Sequence, residues 1–340
     1  MLRFTLVLLC LTSAAHAEEF RYQNPITSGI DPQGLRDCQV FRDGDHWYLT
    51  GTSSPHWERE PGMNPGVRLY RSDDLLNWAE VGIIVPKPED TQSWYEERFW
   101  APEVQKINGR YYCTFNCTNP PVQQGQAGGL AVADRVEGPY TVLTPDKPLV
   151  QGNDLTLHQE PDGRVYAFWN RGKQHGILSA EVDLETPKLL TEPTTCIRQG
   201  EPGEWDSIGI EGAYIVKHRG TYYLMYSSWT RGYEIGYATA SSINGPWTKH
   251  PGSPIYGAQS RSVAEKNGAT YTGDEDCPFN AVGHNEVFTG PDGRLWLSCH
   301  GILPGKPPML VIDPISFEPD GSMKIAGPTH TPQTIPLDLK

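Results

Sequence analysis

Nothing in this 340-residue chain forms a Lys/Arg-rich block, and 28 basic residues stand against 41 acidic ones, for a formal net charge of −13. A nucleic-acid backbone is therefore excluded as an expected partner. No long window keeps a clean 3.6-residue hydrophobic period, because Gly or Pro interrupts nearly every candidate helix. Helix-rich architectures are disfavoured on that ground. There is no HExxH, no CxxC and no zinc-knuckle spacing, and the seven cysteines are widely scattered. Zinc sites and a disulfide scaffold drop out, although one or two bridges without a readable pairing are admitted. After the first residues, no apolar run is long enough to span a bilayer.

What the chain does have is 35 Gly, 30 Pro, 16 Tyr and 10 Trp, a mixture that predicts short aromatic strands joined by many turns. Residues 1–17 read as a removable leader: Arg3 supplies a positive start, Phe4 to Leu11 an apolar stretch, and Ala15-His16-Ala17 a small-x-small cleavage site. The expected mature chain starts at Glu18, is secreted or periplasmic, and keeps no membrane anchor.

One pattern recurs. A turn of the Asp-Gly or Asn-Gly type precedes an aromatic strand in DGDHWYLTGT, NGRYYCTF, DGRVYAFW, RGTYYLMYS and DGRLWLSCH, marked by Tyr48, Tyr112, Tyr166, Tyr223 and Trp296. A further strand and a surface turn follow each marker. Five units of roughly 55 to 70 residues predict an all-β, five-bladed β-propeller filling 18–340 as a single domain.

Just upstream of each marker, where an innermost strand begins near the propeller axis, stand Asp37, Glu103, Asp154, Glu211 and His284. Five ionisable groups at nearly one structural position predict a ring at one end of the central channel. Carboxylates on opposite sides of a sugar can divide glycoside hydrolysis, one protonating the leaving oxygen while the other takes a proton from water. A third carboxylate beside the acid would raise its pKa. Asp37, Asp154 and Glu211 satisfy that division, with their roles left open by the residues alone.

The segments Asn24-Pro25, RDCQVFRDGDHWYLTGT, FWAPEVQKINGRYY, NDLTLHQEPDGRVY, IEGAYIVKHRGTYYLMYSS, YEIGYATASSINGPW and GHNEVFTGPDGRLW together resemble glycoside hydrolase family 43. The resemblance implies a five-bladed propeller that inverts the anomeric centre. It implies that Asp37 is the general base, Asp154 the carboxylate that tunes and orients the acid, and Glu211 the general acid. His284 matches a channel histidine that in many members binds calcium or a water in its place; no organic cofactor is implied. Cys38 follows Asp37 where proline is commoner, and the blade-four motif reads IEGA where IEGP is more usual.

Further expectations surround this core. Trp94, Trp100 and Trp229 are candidate faces for a sugar ring, and Arg36 and Arg231 candidate donors to its hydroxyls. Glu103 is expected to bond substrate or a neighbouring blade. Asn116-Cys117-Thr118 is a formal glycosylation sequon within an aromatic strand. The segments 53–66 and 86–99 are expected to wall off one furanose, which points to an exo-acting α-L-arabinofuranosidase with β-D-galactofuranosides as further substrates. A β-D-xylosidase, an endo-arabinanase and a non-catalytic carbohydrate-binding propeller are the competing readings. Carbohydrate is the expected partner, and the chain a monomer.

Overall fold

The computed structural model describes residues 18–56, 64–172 and 176–337. The expected leader over 1–17, and residues 57–63 of the first expected pocket wall, lie outside them. Five successive antiparallel units follow the chain as a five-bladed all-β propeller. The innermost strands are Leu35–Asp43, Glu97–Ile107, Asn153–Gln159, Glu211–His218 and Ala281–Thr289. Each is paired by a hairpin to a middle strand: His46–Ser53, Arg110–Asn119, Val165–Asn170, Thr221–Ser228 and Leu295–Ile302. Third strands Gly66–Ser72, Gln124–Ala133, Ile177–Asp183, Gly232–Ala240 and Met309–Phe317 come next, with short outer strands beyond. The DGDH sequence at Asp43–His46 is the hairpin turn of blade I, as its spacing between two strands suggests.

The middle strands are buried along nearly their whole length, as in Thr221–Ser228, where only Thr221 is less than fully buried. A strand covered by a neighbouring blade on each face shows a continuous apolar run and no polar alternation. Such clusters fill the seams: Val67, Leu69, Trp94, Phe99 and Phe115 between blades I and II, and Leu35, Val40, Trp296, Leu310 and Ile312 between blades I and V. Each fully buried Leu, Ile or Phe of this kind contributes roughly 1.5–3 kcal/mol relative to exposure.

Blades IV and V are also joined edge to edge, since Ala258 of a blade IV outer strand pairs with Val282 of the blade V inner strand. Near the chain ends, Glu19–Tyr22 pairs with Gln333–Pro336, and Ile26 bridges to Leu310. The Asn24 amide bonds both the carbonyl and the N–H of Ile312, at 2.9 and 3.0 Å. These contacts tie the first described residues to the last blade.

Two expectations are settled by this packing. All six described cysteines are free, so neither of the bridges the sequence admits is formed. The sequon asparagine is inaccessible: Asn116 is 1 % exposed, and its amide bonds the carbonyls of Trp100 and Ala101 and the N–H of Leu155.

Candidate active site

The same irregularity is built into every innermost strand. Pairing with the middle strand skips between Arg36 and Gln39, Trp100 and Glu103, Asn153 and Thr156, Glu211 and Tyr214, and Gly283 and Glu286. Inside each skip one residue has left-handed backbone: Asp37 (φ 52°), Ala101 (φ 40°), Asp154 (φ 54°), Gly212 (φ 61°) and His284 (φ 63°). A bulge re-aims a side chain that a regular strand would point at a neighbouring blade, and non-glycine residues there carry backbone strain. Blade IV relieves that strain with Gly212 and presents Glu211 from the position before it.

The ring expected from sequence is thereby corrected in detail. Asp37, Asp154 and His284 share one position; Glu211 precedes it, and Glu103 lies two residues past it, beyond Ala101. Glu103 accordingly sits deeper along the axis, 4 % exposed, where it accepts hydrogen bonds from Thr156 Oγ1 at 2.5 Å and Gln105 at 3.1 Å. Burial raises its carboxyl to about 7, against the hydrogen bond from Thr156, and raises that of Glu286, which faces it, well above the usual range. Glu103 is part of the channel and bonds the neighbouring blade, so substrate contact is not its place.

A cavity of about 1070 Å³ opens above the bulges, lined by Asp37, Asp154, Glu211 and His284 and also by Arg36, Trp100 and Trp229. Two expected site residues lie elsewhere. Trp94 is buried in the seam between blades I and II, stacked 5.8 Å from Phe115 with Nε1 donating to the Thr144 carbonyl at 2.7 Å. Arg231 is held on the outer side of blade IV by two 2.9 Å bonds to the Glu234 carboxylate. Core packing claims the first and a bidentate ion pair the second.

Asp37 is the anchored carboxylate. Thr52 Oγ1 donates to its Oδ2 at 2.5 Å while accepting the Ala101 N–H at 2.7 Å, and His284 Nδ1 stands 3.3 Å from its Oδ1. Burial alone would raise its pKa, yet the positive charge of His284 and Arg36 and the Thr52 hydroxyl outweigh it and hold the group well below the usual carboxylate range. His300, which lies beside it, is kept neutral by burial and by Arg36.

Asp154 and Glu211 behave oppositely. Together with His284 they place one ligand atom each within 4.8 Å of one another. Burial, then the Glu211 charge, raise Asp154 to about 8, and burial raises Glu211 despite His284 and a hydrogen bond from the Tyr233 hydroxyl. The pair therefore retains a proton at neutral pH. Asp154 Oδ2 accepts the Gly212 N–H at 3.0 Å, which fixes it to the strand that carries Glu211. Burial would lower the pKa of His284, yet the charges of Asp37, Asp154 and Glu211 outweigh it and raise the group.

Two carboxylates and one imidazole suit a hard oxygen-seeking cation only in part, since calcium takes six to eight ligands and these residues offer three. These three residues form a candidate cation cluster, and a calcium ion there would need water to complete its shell.

Thr52, Tyr233 and His300 were not singled out from sequence. In an antiparallel hairpin the end of the middle strand returns beside the start of the inner one, and Thr52 pairs with Arg36 just as His300 pairs with Gly283. That register was the available signal.

The chain spans about half the length of four curated relatives it matches. It is 27 % identical over 295 residues to a xylosidase/arabinosidase of Humicola insolens, covering 81 % of this chain and 48 % of that protein. With a non-reducing end alpha-L-arabinofuranosidase of Bacteroides ovatus it shares 26 % over 319 residues, 89 % of this chain and 53 % of the other. A crystal structure of a thermostable family-43 glycoside hydrolase superimposes with a TM-score of 0.74 at 27 % identity, covering 93 % of this chain and 99 % of that one. Residues 22–323 match the family described as glycosyl hydrolases family 43, and the chain belongs to that family.

Proposed function

We propose that this protein hydrolyses terminal α-L-arabinofuranosyl linkages with inversion, acting on side chains of plant polysaccharides or on oligosaccharides. The observation that carries this reading is the split of protonation around one cavity: Asp37 is held ionised while the Asp154–Glu211 pair holds a proton.

Asp37, its Oδ2 held by Thr52, takes a proton from the attacking water. Glu211 delivers a proton to the glycosidic oxygen on the opposite face of the sugar, and the displacement inverts the anomeric carbon. Asp154 tunes the acid by sharing a proton with Glu211 and holds the bulge that presents it. Trp100 and Trp229 offer ring faces and Arg36 a donor at the cavity wall. Calcium near His284 would add positive charge beneath the sugar, provided that Glu211 stays uncoordinated and keeps its proton. Work outside the cytoplasm, after loss of 1–17, and a monomeric state belong to the same proposal.

The names of the relatives include both xylosidase and arabinofuranosidase, so β-D-xylosides are the competing substrates. The deciding experiment compares kcat/KM on aryl α-L-arabinofuranoside, β-D-galactofuranoside and β-D-xylopyranoside, with NMR of the first product and product analysis on linear arabinan. Dominant arabinofuranoside turnover, an inverted first product and release of single sugars support the proposal. Dominant xylopyranoside turnover overturns the sugar, a retained product the mechanism, and mid-chain cleavage the exo action.

A further inference from the structure

The hydrolytic reading leaves open which sugar the Trp229 face carries. Trp229 is 37 % exposed although it lines the cavity, and its indole lies directly over Gly209, where an added Cβ would meet the ring at 2.2 Å. One face of the ring is thus seated on the backbone two residues before Glu211. Its surroundings are also fixed: Thr230 Oγ1 accepts the Ile208 N–H at 3.1 Å, and the Asn267 amide donates to the Thr230 carbonyl at 3.0 Å. A seated indole beside the residue that protonates the leaving oxygen is placed to carry the sugar beyond the scissile bond.

The Asn267 tether also brings in Lys266, the last residue of the short helix Arg261–Lys266. Lys266 lines the cavity, as does Arg171 from the end of the blade III middle strand, and both are exposed. Neither has an ion-pair partner among the described residues, whereas Arg164, Lys217, Arg231, Lys249 and Arg261 in the same blades and their connection are all paired with carboxylates. The lining carboxylates among the described residues are Asp37, Asp154 and Glu211, all at the inner-strand bulges. Two unpaired cations at this rim, in a chain of net charge −13, make it locally suited to an anion.

Resting on the glycosidase reading above, we propose that the preferred leaving group is an oligosaccharide bearing a uronic acid, its ring against Trp229 and its carboxylate met by Arg171 and Lys266. The chemistry asked of the two cations is charge-assisted hydrogen bonding to a planar carboxylate, which a neutral chain cannot offer.

The test uses an arabinofuranosylated xylo-oligosaccharide with and without one glucuronosyl substituent on the leaving chain, with an aryl α-L-arabinofuranoside as a third substrate. For the unmodified protein at low ionic strength, kcat/KM for the acidic oligosaccharide should exceed that for the neutral one by about three- to tenfold. The ratio should approach one in about 0.5 M NaCl. In an R171Q/K266Q double variant of matching melting temperature, it should approach one at low salt as well. Equal kcat/KM for the two oligosaccharides, or a preference that the double variant retains, overturns the proposal while leaving the glycosidase reading intact. Absence of turnover of all three arabinofuranosides overturns that reading and this proposal with it.

Discussion

The backbone N–H of Asp37 donates to Nδ1 of His300 at 3.0 Å, across the seam between blades I and V. A left-handed residue in a bulge has lost its ladder partner, and this bond replaces it. Because Nδ1 accepts, the neutral ring carries its proton on Nε2, and the orientation of the Asp37 carboxylate depends on a side chain from another blade.

Substitutions at His300 should separate that role from simple packing. The Oδ1 of His300→Asn reproduces an acceptor near the place of Nδ1, whereas His300→Leu removes it. The leucine variant is expected to lose about 100-fold in kcat with little change in KM, and the asparagine variant to recover most of that loss. Steady-state kinetics on an aryl glycoside, with melting curves for both proteins, checks this. Equal losses in the two variants would reduce His300 to a packing residue.

Leaving-group dependence separates the three acids. Asp37→Asn should lower kcat for every glycoside by about 10²–10⁴-fold, since water activation is always required. Glu211→Gln should cost that much only for poor leaving groups, because a dinitrophenolate needs no proton to depart. Asp154→Asn should fall between. Parallel losses for all three across a series of aryl glycosides would contradict these assignments.

Blade number, the repeat and the three carboxylates that line the cavity were legible in the sequence because hairpin turns and aromatic strands recur at spacings that a propeller requires. The exact ring was less so. Glu103 seemed equivalent to Asp37 because both precede an aromatic marker at similar distance, yet only the bulge shows that Ala101 occupies the matching place. Trp94 and Arg231 illustrate a second limit: side-chain chemistry suited both to a sugar, and tertiary partners, Phe115 and Glu234, removed them from the cavity. Thr52 and His300 act through strand register, which turns of varying length conceal until pairing is known.

Trp94 therefore gives a control that should affect stability. Trp94→Ala removes a 6 % exposed indole and its 2.7 Å bond to Thr144, and is expected to cost about 3–5 kcal/mol in urea unfolding. A rise in KM at unaltered stability would instead place this ring at the substrate.

Calcium dependence is tested by the charge on His284. The charges of Asp37, Asp154 and Glu211 raise the pKa of the ring against its burial, so calcium binding through it should release a proton and become tighter as pH rises. Calorimetry in buffers of different ionisation enthalpy, on protein treated with chelator, measures both quantities. Calcium uptake independent of pH would remove His284 from the ligand set.

The Asp154–Glu211 pair sets the alkaline limit of activity and leaves a mark on stability. With Asp154 raised to about 8 and Glu211 raised beside it, kcat/KM should hold through neutrality and fall as pH passes about 8, where the pair loses its proton. Asp154→Asn removes the group whose proton is held to about 8, so the alkaline limb should move down toward the value set by Glu211 alone. The stability effect has a definite sign. Unfolded Asp154 releases its proton near the ordinary carboxylate value, while the folded group keeps it to about 8, so between about pH 4 and 8 the native state binds more protons and this group's contribution to stability declines as pH rises. Subtracting the urea-unfolding profile of the Asp154→Asn variant from that of the unmodified protein isolates the contribution. The difference should move in the variant's favour steadily from pH 5 to pH 8 and level off above. A flat difference would show that Asp154 is already ionised at neutrality, and an alkaline limb that stays in place in the variant would show that Asp154 does not share the acid's proton.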